Sequence, residues 1–150
     1  MEFYLAFYKS KNPNAEWDDK LIDWYTGSIG FSHVEIVVVY KTGKKEMYTS
    51  SPRDGGVRAK EHIWDENVWE YERINITFSH LTDIFTLTNG CKYDWNGILG
   101  FILPFQDRTN KWFCSEWCSN VLKTAGDKRF LILEPSKLSP NKLYKIIKGE

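Results

Sequence analysis

Strand-like patterns dominate the first half of the chain and helix-like patterns the second. Residues 3–8 form a short apolar, aromatic run that predicts a strand, and 9–16, with Pro13 and two asparagines, predict the loop after it. Asp18 or Asp19 can cap a short helix carrying Leu21, Ile22 and Trp24 that stops near Gly27. The clearest strand is 31–40, Phe-Ser-His-Val-Glu-Ile-Val-Val-Val-Tyr, dense in β-branched residues. Lys41-Thr42-Gly43-Lys44 reads as its turn, and 45–51 returns as the second arm of a hairpin. With Tyr40 facing Lys45, paired positions sum to about 85, which sets Ser50 opposite Glu35 and Pro52 opposite His33. A slip of one residue substitutes Thr49 or Ser51 for Ser50.

Pro52-Arg53-Asp54-Gly55-Gly56 is a turn by composition, 57–62 resumes an extended run, and 67–76 alternates imperfectly as a further strand. Ser79 can cap a helix through Leu81, Ile84, Phe85 and Leu87 that stops at Asn89-Gly90. Residues 93–103, apolar on several sides, predict a buried helix ending before Pro104, with a polar connection to 111. A helix then spans 112–122. Polar Arg108, Thr109 and Asn110 precede it, apolar Trp117, Val121 and Leu122 recur on one face, and Gly126 follows where a stop belongs. The tail carries an apolar run at 130–133, two prolines and a basic end at 142–148 that predicts a closing strand. Together these elements predict an α+β fold in which a small antiparallel sheet packs against helices.

Composition narrows what such a fold can do. At 150 residues the chain suits a single domain able to bury about two thirds of its unfolded surface. Twenty basic and twenty acidic side chains cancel, so no overall field draws it to nucleic acid or to an anionic membrane. No run reaches the roughly 18 apolar residues of a membrane span, and the start lacks the basic and apolar regions of a signal peptide. The three cysteines cannot all pair, and Cys114 and Cys118 sit four apart on one predicted helix, poor geometry for a disulfide. A reducing, cytoplasmic setting is expected.

Cys114 stands where the helix begins. Free N–H groups and the positive end of the helix dipole favour thiolate over thiol there, and the thiolate is the nucleophile. Cys118, a full turn further in, lies among apolar neighbours and reads as packing, and Cys91 has no assigned partner. His33 lies in the strongest strand, and an imidazole is the group that accepts a thiol proton and later gives it to a leaving group. A third group on that strand or its neighbour would orient the ring, and Ser50, Thr49, Ser51 and Glu35 are all placed to do so. The three histidines and three cysteines show no metal-ligand spacing, and phosphate-loop and dinucleotide fingerprints are missing, so neither a metal nor another cofactor is expected.

Phe31-Ser32-His33-Val34, the Gly90-x-x-Tyr93-x-Trp95-x-Gly97 run and Phe113-Cys114-Ser115 together resemble the NlpC-type papain-like fold in its circularly permuted form. That branch includes the YiiX-like hydrolases and the lecithin:retinol acyltransferase-like enzymes, and in it the histidine strand precedes the cysteine helix. The resemblance covers roughly 28–123 and implies Cys114 as nucleophile, His33 as base and Tyr93 as a tyrosine near the thiol that helps hold an oxyanion beside the Cys114 backbone N–H. The implied activity is that of a cysteine hydrolase, amidase or acyltransferase. Its substrate would be a peptide, an isopeptide, a peptidoglycan fragment or a lipid ester. The rival expectation is a papain-like shell that only binds a protein or glycan through the aromatic residues around the same cleft.

Overall fold

A computed structural model describes residues 1–16, 29–95 and 110–150, and the fold they form is α+β. Seven strands build one sheet in the order β5-β1-β2-β3-β4-β6-β7: β1 Glu2–Lys9, β2 Phe31–Val39, β3 Lys45–Ser51, β4 Gly56–Glu61, β5 Trp69–Ile74, β6 Lys92–Tyr93 and β7 Lys111–Trp112. All neighbours are antiparallel except β6 and β7. Three α-helices are described, α1 Phe78–Thr88, α2 Cys114–Thr124 and α3 Pro140–Lys148. None of the described helices is long and apolar enough to cross a membrane.

Strand alternation sends Phe3, Leu5 and Phe7 of β1 and Val34, Ile36 and Val38 of β2 to one face. There they meet Trp117, Cys118, Val121 and Leu122 of α2, Leu81 of α1 and Leu143 of α3, and form the core. The opposite face carries Tyr4, Tyr8, Trp69 and Tyr71, joined by Trp64 and His62 in a network of ring contacts that includes a Trp64–Tyr71 stack at 3.6 Å. β2 is therefore buried on both sides, by helices on one and aromatic side chains on the other.

Several expectations change in the folded chain. Val39 pairs with Lys45, so paired positions are one residue short of the expected register, and Tyr40 closes the loop by donating from its N–H to the Lys44 carbonyl (2.9 Å). The ladder also ends at Ile36 opposite Tyr48, although both strands continue. Beyond that point Thr49 Oγ1 donates to the Val34 carbonyl (2.9 Å) and the Cys118 thiol approaches the same oxygen (3.7 Å). The first turns of α2 enter where β2 and β3 part, so the expected facing of Ser50 with Glu35 and of Pro52 with His33 does not form.

Helix α1 is capped by Thr77 rather than Ser79. Thr77 Oγ1 accepts from the His80 N–H, and His80 Nδ1 accepts from the Thr77 N–H, a reciprocal box in which histidine replaces the usual glutamate. Tyr93 lies in β6 instead of opening a helix, and residues 96–103 of the helix predicted for 93–103 lie outside the described residues, as does the short one capped by Asp18 or Asp19. The C-terminal segment is a helix, not a strand. Ser139 caps it, Pro140 takes the first position where its missing N–H costs nothing, and Gly149 ends it.

Candidate active site

Cys114 is the first residue of α2, with Phe113 in the N-cap position and extended backbone leading in from β7. Two donors fix that lead-in at one atom, because the Trp112 carbonyl accepts from Ser50 Oγ (2.6 Å) and from the Asp94 N–H (3.0 Å). Ser50 therefore ties β3 to the segment before the cysteine and does not turn toward the imidazole. Tyr93 pairs with Trp112 across the parallel β6–β7 contact, is buried, and meets the Trp95 ring edge-on at 5.1 Å.

His33 and Glu35 are two apart on β2 and share a face, as strand alternation requires. His33 Nε2 lies 2.9 Å from Glu35 Oε1, and the Cys114 sulfur is near enough to act electrostatically on the same ring. Glu35 is almost wholly buried, an expensive position for a carboxylate, and Arg58 of β4 answers it with two parallel hydrogen bonds of 3.0 Å. Behind Arg58 stands Asp54, which accepts from Arg58 Nε (2.6 Å) and from Lys60 Nζ (2.9 Å). An alternating chain of partners thus runs Cys114, His33, Glu35, Arg58, Asp54, Lys60.

The electrostatics follow from this chain. Burial alone would push the imidazole down, but the Cys114 sulfur, through charge and hydrogen bond, and then Glu35 outweigh it and raise His33 to about 9. Burial would push the Glu35 carboxyl up, yet the hydrogen bond and charge of His33, followed by Arg58, hold it at about 2. Glu35 is a permanent anion across the working range and His33 a stabilised cation. Cys118 is different. Burial drives its thiol well above the ordinary value, and among the described residues its sulfur's hydrogen-bonding contacts are Thr49 Oγ1 (3.8 Å) and the Val34 carbonyl. Thr49 spends its hydroxyl on that carbonyl, so of the four groups placed to orient the ring, the described hydrogen bonds bring Glu35 to it.

Arg58 was not singled out by sequence reasoning, although a buried Glu35 demands a countercharge and an arginine two residues past the Gly55-Gly56 turn is where β4 could supply one. Tyr8, Trp69 and Arg53 were also passed over. They line a cavity of about 110 Å³ beside His33. Among the described residues no group of three or more His, Cys, Asp or Glu is placed to hold a metal ion. No protein-family model, curated protein or solved structure matches the chain.

Proposed function

We propose that the chain is a cysteine hydrolase or acyltransferase of permuted papain-like type, with Cys114 as nucleophile, His33 as general base and acid, and Glu35 as the group that orients the ring. One observation carries this reading: the His33 imidazole lies 2.9 Å from a buried carboxylate, and the Cys114 sulfur is near enough for its charge to be the strongest influence raising that ring. Nucleophile, base and orienting group then stand in the relation acyl transfer requires. The order of the chain, histidine strand first and cysteine helix last, agrees with the permuted NlpC-type resemblance.

In the first step Cys114 Sγ, its proton already held on the His33 imidazolium, attacks an amide or ester carbonyl. The C–N or C–O bond breaks as His33 passes that proton to the departing nitrogen or oxygen, leaving a thioester on Cys114. Water, deprotonated by His33, or another acceptor then releases the acyl group. The Cys114 backbone N–H at the helix start is one donor to the developing oxyanion, and Tyr93, by the resemblance, is the candidate for a second. Ser50 serves as a positioning residue through the Trp112 carbonyl.

Treatment with p-nitrophenyl acetate followed by peptide mass mapping tests the proposal. An acetyl group is expected on Cys114, and His33→Ala should slow its appearance by a factor on the order of 10²–10⁴. Acetylation spread evenly over the cysteines, or a His33→Ala rate equal to the wild type, would instead support a shell that only binds.

A further inference from the structure

The cavity beside His33 is walled by Tyr8, Glu35, Arg53, Arg58, Lys60 and Trp69 among others, and Cys114 is not among its lining residues. Tyr8 and Trp69 flank His33's neighbourhood by register: Tyr8 pairs with His33 on one side of β1 and with Trp69 on the other. The Tyr8 ring is held edge-on against Trp69 at 5.0 Å, and the Arg53 guanidinium lies over it at 5.4 Å. At 7% exposure Tyr8 is more than nine-tenths buried, and among the described residues its hydroxyl has no hydrogen-bond partner. An unmade hydrogen bond at a buried hydroxyl costs about 1–3 kcal/mol, which a ligand acceptor would recover.

Charge defines the acceptor. His33, Arg53, Arg58 and Lys60 line the cavity against one carboxylate, Glu35, and even with Asp54 counted from behind there are four cations to two anions. Size limits it further. About 110 Å³ is well below the roughly 300 Å³ at which sites begin to enclose a whole drug-sized ligand, so the cavity suits one end of a substrate. Position relative to the reacting atoms settles which end, since His33 protonates the leaving group and the cavity lies on His33's side of the pair, away from the sulfur.

We propose that this cavity is the leaving-group pocket and that the leaving group is a small amine bearing a carboxylate, an amino acid, whose carboxylate accepts a hydrogen bond from Tyr8 in the positive field of Arg53, Arg58 and Lys60. The inference rests on the acyl-transfer reading of Cys114 and His33. The cleaved bond is then an amide: its C–N bond breaks, the thioester forms, His33 supplies the proton that leaves with the amino acid, and water later releases the acid.

Two arms keep the pocket and the chemistry separable. In the first, calorimetric titration of the Cys114→Ala protein with L-alanine and with L-alaninamide should show the carboxylate form binding at least about tenfold tighter, with Tyr8→Phe in the same background erasing most of that ratio. In the second, wild-type kcat/KM for N-acetyl-glycyl-L-alanine should exceed that for its C-terminal carboxamide by a similar factor. Equal binding of the two probes, or a ratio that Tyr8→Phe leaves intact, overturns the pocket. Discrimination in binding with no turnover of either peptide and no acetylation of Cys114 overturns the chemistry while the carboxylate site stands.

Discussion

Arg58 shows how much a single side chain can carry. It is the countercharge that lets a carboxylate lie buried beside the imidazole, and it donates one hydrogen bond to each carboxylate oxygen. Removing it leaves Glu35 with His33 alone, so Arg58→Ala should cost about 3 kcal/mol in urea unfolding, while Arg58→Lys, which keeps the charge but not the paired geometry, should fall between. Cys118→Ala is the complementary case. Its sulfur belongs to the core, so the change should cost on the order of 1 kcal/mol and leave the alkylation rate of Cys114 unaltered. The proposed pair, His33 and Cys114, was suggested by chemistry alone, because few residue types can act as thiol base and nucleophile. Glu35 was one of four candidates, and what sets it apart is its hydrogen bond to the ring, while Thr49 and Ser50 bond to the Val34 and Trp112 carbonyls. Tyr8 and Arg58 were not legible, since their roles come from which strands lie side by side.

At the scale of elements, the site depends on how the short strands β6 and β7 bring the chain to the start of α2. β6 is held by β4 through the Val57 N–H to the Cys91 carbonyl (2.9 Å) and the Tyr93 N–H to the Gly55 carbonyl (3.0 Å). The backbones approach so closely that a Cβ on Gly56 would sit 1.9 Å from the Cys91 oxygen, a backbone atom that cannot move aside alone. Gly56→Ala should therefore destabilise the fold by about 2 kcal/mol or more in denaturant titration and also reduce the selectivity of thiol labelling, because β6 and β7 shift together. The hairpin, β1 and α2 were readable because their apolar patterns are long. Two-residue strands carry no periodicity, and the final helix hid behind Ile146 and Ile147, whose β-branching suggests a strand although Ser139, Pro140 and Gly149 mark helix ends. The register of β2 on β3 was missed by one residue because the three-residue loop at 41–43 sets it, and loop geometry is not visible in strand composition.

Across the whole molecule, the buried ionic chain ties stability to pH at both ends. Glu35 drops from 4.5 to about 2 on folding, so its contribution is present above pH 4.5 and lost as pH falls toward 2. His33 rises from 6.5 to about 9, so its contribution is complete below pH 6.5 and lost as pH climbs toward 9. Melting temperature should peak between these limits. Cys114→Ala should flatten chiefly the alkaline limb, since the sulfur is the largest group raising His33, and Glu35→Gln should flatten the acid limb. A profile unchanged by both substitutions would mean that the three groups are not coupled.

The most direct test of that coupling is the rate at which iodoacetamide alkylates each cysteine at pH 6.5. Wild-type Cys114 should react at least about tenfold faster than Cys91 or Cys118, and His33→Ala should bring it down to their level. Equal slow labelling of all three, or a Cys114 rate indifferent to the loss of His33, would contradict the pairing of sulfur and imidazole.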